Sequence, residues 1–206
     1  MLIDPATISS SMMYRHLMGM VVPRPIAFIS TTSMDGARNL APFSYFNAIS
    51  SAPPLIGVAF SDREGDPKDT LRNIRETGEF VVNLVTEPLF EPMVKTAGEW
   101  PRGTDEFTIA GLSAAPSRRV RAPRVAESPI QLECRLYREI ELGNARFVVG
   151  EVLVAEVRDD VMTDGRVDPL KLLPVGRLGG EQYSLTREVV ASPRPRVSRE
   201  TGEPIR

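Results

Sequence analysis

Short apolar runs separated by turn residues dominate the first half of the chain. Ile26-Ala27-Phe28-Ile29-Ser30-Thr31-Thr32 follows Pro23-Arg24-Pro25, and two prolines so close exclude a helix interior. The run suits a buried strand. Asp35-Gly36 then supplies a tight reversal, because glycine tolerates positive φ. The chain returns through Asn39 to Phe46, so residues 26–46 read as a hairpin. Beyond Pro53-Pro54, Leu55 to Phe60 is apolar on both sides and reads as an interior strand. Asp66 to Gly78 predicts a short helix. Asp66 suits its cap, Pro67 its first turn and Gly78 the residue past its end, while Leu71 and Ile74 give a narrow apolar stripe. Phe80 to Val85 resumes β structure.

The second half is less regular. A helical piece over 89–97 places Phe90, Met93, Val94 and Ala97 on one side. Residues 98–127, rich in Gly, Pro, Arg and Ser, read as an excursion over the surface. Two long strands follow, about 129–141 and 146–158, then a turn or small hairpin over Met162 to Val167. Several strands joined by turns, with few helices, predict a mainly β antiparallel barrel rather than a doubly wound sheet. One domain over residues 1–190 is expected. A polar, proline-containing tail follows over 191–206, a candidate to lie along a partner subunit.

Composition narrows the choices. The chain has 206 residues, with 25 basic and 27 acidic side chains and a net charge of −2. That balance argues against an extended nucleic-acid interface. The single cysteine, Cys134, excludes an intrachain disulfide, and its place in an alternating apolar run reads as core packing. With one histidine, His16, and one cysteine, no Cys/His metal site is expected. No run approaches ~18 apolar residues, so no membrane span is expected. The first residues lack the pattern of a signal peptide, which makes the cytoplasm the expected location.

Common catalytic signatures are missing. There is no Gly-x-Gly-x-x-Gly after a strand, no phosphate loop ending in Gly-Lys-Ser/Thr and no Gly-x-Ser-x-Gly elbow. Gly176, Gly179 and Gly180 read as a tight turn.

Two segments carry candidate chemistry. Ser61, Arg63, Lys68 and Thr70 lie in a strand-to-helix connection. A lysine at a helix start opposes the helix dipole, so stability does not explain it, whereas a bound phosphate would. The plain alternative is a solvated loop with incidental charges. Asn39 and Ser44 can hydrogen-bond while Ala41, Pro42 and Phe43 leave room for a flat ring against the backbone. The plain alternative there is a strand with aromatic core residues.

Taken together, several stretches resemble a known family. They are Pro23-Arg24-Pro25-Ile26-Ala27-Phe28-Ile29-Ser30-Thr31, Asn39-Leu40-Ala41-Pro42-Phe43-Ser44-Tyr45-Phe46-Asn47, Pro53-Pro54-Leu55, Lys68-Asp69-Thr70-Leu71-Arg72-Asn73-Ile74 and Glu79-Phe80-Val81-Val82-Asn83. In order and spacing this is similar to the flavin reductase-like FMN-binding split barrels, the branch that includes flavoredoxin. Arg177-Leu178-Gly179-Gly180 with Tyr183 resembles that family's closing motif. The resemblance implies a six-stranded antiparallel Greek-key split β-barrel with a few short helices, working as a homodimer with FMN near the subunit interface. By position, Ser30, Thr31, Asn39, Leu40, Ala41, Pro42, Phe43 and Ser44 would line the flavin ring, with Phe46 and Asn47 close by. Ser61, Arg63, Lys68 and Thr70 would hold the ribityl-phosphate, and Tyr183 would close the site. Arg24 would meet the phosphate or pair at the dimer interface.

The implied reaction is hydride transfer from NADH or NADPH to flavin N5, chemistry that belongs to the cofactor and needs no side-chain acid or base. Reduced flavin would serve a partner monooxygenase, or electrons would pass to another redox acceptor. The alternatives are an electron-transfer flavoprotein without nicotinamide activity and a non-catalytic ligand-binding barrel.

Overall fold

The alternating runs assemble into one antiparallel sheet in the computed structural model, which describes residues 1–61, 67–201 and 203. Helix α1 (Ser10–Met20) and strand β1 (Arg24–Pro25) precede it. β2 (Ala27–Thr32) and β3 (Arg38–Phe43) form the first hairpin. Its turn is closed by the Ser33 N–H donating to the Ala37 carbonyl, with Gly36 at φ 92°. β4 (Phe46–Ser51) and β5 (Pro54–Ser61) form the second. Helix α2 (Asp69–Thr77) leads into β6 (Glu79–Leu84). Helices α3 (Phe90–Thr96) and α4 (Glu106–Ala110) come next, then the short pair β7 (Ala114–Ala115) and β8 (Arg124–Val125). The long strands β9 (Ile130–Leu142) and β10 (Ala145–Val157) follow. β11 (Met162–Thr163), β12 (Arg166–Val167), α5 (Pro169–Leu172), β13 (Val175–Arg177) and β14 (Tyr183–Leu185) complete the elements.

The main sheet has seven strands in the order β3-β2-β6-β9-β10-β5-β4, and β1-β13-β14 make a second sheet. The expectation of six strands is therefore corrected. The extra strand is β4, whose last residues, Asn47-Ala48-Ile49-Ser50-Ser51, are all exposed and carry no apolar alternation. Backbone pairing to β5 alone makes it a strand. The sheet coils until Phe43 of β3 meets Phe60 of β5, with ring centroids 4.5 Å apart.

Leu71 and Ile74 of α2 are fully buried in the main core with Ile29, Phe80, Val82 and Cys134. Full burial of each such side chain contributes roughly 1.5–3 kcal/mol. Gly78 ends the helix in the left-handed region at φ 72°, its N–H donating to the Ile74 carbonyl at 2.8 Å. The helix starts at Asp69, later than expected, because Lys68 stays extended at φ −58° and ψ 150°. Asp66, the expected cap, lies outside the described residues. In α3, Met93 is buried but Val94 is exposed, so Val94 does not share the core-facing side. Cys134 packs as an apolar residue, and burial pushes its thiol far up.

Residues 98–127 are not merely an excursion over the surface. Phe107, Ala122 and Val125 are fully buried. The segment is held by backbone bonds to buried polar side chains of the sheet. The Glu133 carboxylate accepts from the Arg118 and Arg119 N–H groups at 2.8 and 2.6 Å, and Asn83 Oδ1 accepts from the Val125 N–H at 2.8 Å. The bonds satisfy the buried Glu133 and Asn83 acceptors and fasten the irregular segment to the sheet. Among the described residues, no helix is long and apolar enough to cross a membrane.

Candidate functional site

The chain leaves β3 and enters β4 across Ser44-Tyr45. Two cavities open beside this corner and share Pro42, Phe43, Lys68 and Ala97 in their walls.

The first cavity has a volume of about 500 Å³. The main sheet supplies Phe43, Ala59 and Ser61, and the corner Ser44; the second sheet supplies Arg24, Arg177 and Tyr183; α1 supplies Tyr14 and Met18. Arg24 ties these parts together. It is almost fully buried, and its guanidinium donates to the Met18 and Leu178 carbonyls at 2.8 Å each, to the Val21 carbonyl and to Ser44 Oγ at 3.4 Å. Its hydrogen bonds thus go to α1, the β13–β14 turn and the β3–β4 corner. The Tyr183 ring lies edge-on to Phe90 at 4.8 Å, with the Arg177 guanidinium over it at 4.4 Å. Lys68 Nζ lies 5.2 Å from the Phe43 ring centroid, within cation–π range. Burial, then the neighbouring Tyr14, raises the Tyr45 hydroxyl above its ordinary value, opposed by Arg24.

The second cavity, about 400 Å³, lies between the start of α2 and the segment around Trp100. Glu106 forms its inner wall. This carboxylate is 7% exposed and accepts from the Leu40 N–H at 3.0 Å and from Asn39 Nδ2 at 3.1 Å. Asn39 Oδ1 in turn accepts from the Thr70 hydroxyl at 2.7 Å, and Asn73 Nδ2 donates to Thr31 Oγ1 at 2.9 Å. Burial pushes the Glu106 carboxyl up, opposed by the donors from Leu40 and Asn39.

The residues singled out from the sequence fall into distinct places. Pro42, Phe43, Ser44, Ser61, Lys68 and Tyr183 line the first cavity. Asn39, Ala41, Pro42, Phe43, Lys68 and Thr70 line the second. Ser30, Thr31 and Leu40 are buried and line neither: the Ser30 hydroxyl donates to the Pro123 carbonyl, and Leu40 packs in the second core cluster. Phe46 packs against the main core, and Asn47 is exposed on β4, its side-chain oxygen accepting from the Ala48 N–H. Arg63 lies outside the described residues. Tyr14, Met18 and Met93 also line the first cavity, and Trp100, Arg102 and Glu106 the second, none of them a site residue expected from the sequence. Met93 falls on the apolar side read for residues 89–97, but no motif marks the others, which stand on α1, at the start of α4 and in the segment carrying Trp100 and Arg102.

A flavin mononucleotide fits the donor set of the first cavity. A flat ring needs an apolar wall, which Pro42 and Phe43 offer, and the phosphate needs a cation and a hydroxyl, which Lys68 and Ser61 offer. The volume lies within the roughly 300–1,000 Å³ range of small-molecule sites.

Residues 18–171 match the family model described as the flavin reductase like domain. An uncharacterized protein of Halalkalibacterium halodurans is 41% identical over 205 residues, covering 96% of this chain and 98% of its own length. The crystal structure of nitrilotriacetate monooxygenase component B from Bacillus cereus superposes with a TM-score of 0.90 at 33% identity, covering 93% of this chain and 98% of its own. That of 2-nitrobenzoate 2-nitroreductase from Pseudomonas fluorescens superposes with a TM-score of 0.86, also at 33% identity, covering 95% and 96%. The chain belongs to the flavin reductase-like domain family.

Proposed function

We propose that this chain is an NAD(P)H-dependent flavin oxidoreductase that holds FMN in the first cavity. The observation that carries this reading is that Lys68 and Ser61 line, with Pro42, Phe43 and Ser44, one cavity of about 500 Å³. Lys68 binds the phosphate by charge, and Ser61 adds a hydroxyl donor. Arg24 fixes Ser44 and so the wall against which the ring lies. Tyr183, seated between Phe90 and Arg177, covers the apolar side and excludes water. Bound FMN supplies a hydride-accepting ring, so the side chains need only bind, orient and exclude solvent.

A redox partner suits this arrangement. One structural relative is a monooxygenase component B, and reduced flavin passed to a partner oxygenase is the assembly we favour. A homodimer is also proposed. Helix α1 exposes Met12, Tyr14, Leu17 and Met20, and β4 at the end of the sheet exposes Ile49. Such apolar surface beside a cavity is what a second copy would cover. A cytoplasmic location fits an acceptor of reduced nicotinamide.

The test is anaerobic mixing of the FMN-loaded protein with NADH and, separately, NADPH. The visible flavin band should bleach with at least one. A band unchanged by both would sink the hydride reading and leave a flavin-binding protein reduced by other means.

A further inference from the structure

Glu106 stands at the start of α4 and is absent from the walls of the first cavity, yet its carboxylate is buried and turned toward β3. Taking a carboxylate out of water costs free energy unless its oxygens receive good donors. Stability gives little reason to keep one in the interior, since a well-packed apolar side chain often serves as well.

What the carboxylate does to its neighbours is specific. An ionised carboxylate accepts hydrogen bonds and donates none. Two groups of β3 point donors at it: the Leu40 N–H at 3.0 Å, and Asn39 Nδ2 at 3.1 and 3.2 Å from its two oxygens. With its amide nitrogen committed to Glu106, Asn39 turns Oδ1 the opposite way. There Oδ1 accepts from the Thr70 hydroxyl at 2.7 Å and from Thr31 Oγ1 at 3.4 Å. A neutral amide in place of Glu106 could donate as well as accept, so it would let Asn39 sit either way round.

Thr70 lies in the first turn of α2, and that turn depends on tertiary bonds. Lys68, the N-cap residue, makes no side-chain capping bond. One turn further on, Asn73 Nδ2 donates to Thr31 Oγ1 at 2.9 Å within the same buried cluster. Thr70 and Asn73 thus seat the start of α2 against β3 and β2. Lys68, extended at φ −58° and ψ 150°, precedes that seated turn directly and takes its direction from it.

We propose that Glu106 is a positioning residue for the flavin phosphate: by fixing the Asn39 amide it seats the start of α2, and so aims Lys68 into the first cavity. It touches no part of the flavin and acts only through Asn39 and Thr70. Binding groups hold their geometry through such supporting hydrogen bonds, and a looser support weakens the contact they make. This role rests on the reading that the first cavity holds FMN with its phosphate on Lys68.

The test compares FMN with riboflavin, which has the same ring and no phosphate. Flavin-free wild type, Glu106→Gln, Lys68→Ala and the double variant are each titrated with both, followed by flavin fluorescence. Glu106→Gln keeps the size of the side chain and removes its acceptor-only character. It should raise the half-saturating concentration of FMN about tenfold, as for a weakened charged hydrogen bond, and leave that of riboflavin unchanged. In the Lys68→Ala background it should change neither. Equal weakening of both flavins overturns the proposal, because general loosening would not single out the phosphate. So does a tenfold loss that persists without Lys68. Should Glu106→Gln fail to fold, Glu106→Asp, which draws the carboxylate back by one methylene, is expected to lower the preference for FMN in the same direction, and an unchanged preference overturns the role. If wild type prefers FMN and Glu106→Gln keeps the full preference, this inference alone fails. If wild type binds both flavins alike, the reading of Lys68 as the phosphate's cation fails, and the role of Glu106 with it.

Discussion

The two cavities beside Pro42-Phe43 are organised by buried groups of opposite charge. The first is closed by long-range tertiary contacts. Arg24 reaches from β1 to α1, to the β13–β14 turn and to Ser44, and the walls are largely aromatic and aliphatic. The second is closed by a chain of short polar links, Glu106 to Leu40 and Asn39, and Asn39 to Thr70. One cavity is therefore shaped by a single buried cation that holds carbonyls together, the other by a buried carboxylate that holds donors. The contrast shows how one strand, β3, presents two different chemistries along consecutive residues.

Removing each organiser should break its own cavity first. Arg24→Ala is expected to have the largest effect. It leaves several carbonyls without their donor, and a loss of about 4 kcal/mol in urea-unfolding stability follows from breaking a buried network of charged hydrogen bonds. A loss below about 1 kcal/mol would mean that Arg24 does not organise the first cavity. Glu106→Ala comes next, at about 3 kcal/mol, because the Leu40 N–H and Asn39 amide lose their acceptor in the interior. Lys68→Ala acts on binding. FMN affinity should fall by roughly 1.5–3 kcal/mol, read by quenching of flavin fluorescence, and an unchanged dissociation constant would take Lys68 out of the phosphate site.

The smallest effect concerns pH. Burial holds the Glu106 carboxyl above its ordinary value, so the folded state binds that proton more tightly than the unfolded chain. The contribution of Glu106 therefore improves as pH falls through the raised value and levels off below the ordinary one. Urea unfolding of wild type and Glu106→Ala at pH 7 and pH 5 should show the stability gap widening on acidification. A gap that narrows would contradict the sign.

Parts of both cavities are legible in the sequence and parts are not, for physical reasons. Pro42, Phe43 and Ser44 lie in a motif between strands whose apolar runs declare themselves, and Lys68 stands out as a charge that helix stability does not explain. The helix end at Gly78 was equally legible, since its left-handed conformation favours glycine. Trp100 lies in an irregular segment, and Glu106, at the start of α4, is placed by bonds to Leu40 and Asn39 far earlier in the chain, which no local pattern encodes. β4 was missed for a related reason. Its exposed residues carry no alternation, and only pairing with β5 makes it a strand. The family resemblance points to Ser30 and Thr31, whose hydroxyls in the fold bond Pro123, Asn83, Asn39 and Asn73.

The central claim is that the first cavity holds the flavin. Ala59 lines that cavity and is absent from the walls of the second, so Ala59→Phe fills one and spares the other. The deciding measurement is titration of wild-type and Ala59→Phe apoprotein with FMN, followed by flavin fluorescence. The account predicts saturable quenching by wild type and its near-complete loss in a folded Ala59→Phe protein. Equal quenching by both would contradict it and place the flavin elsewhere.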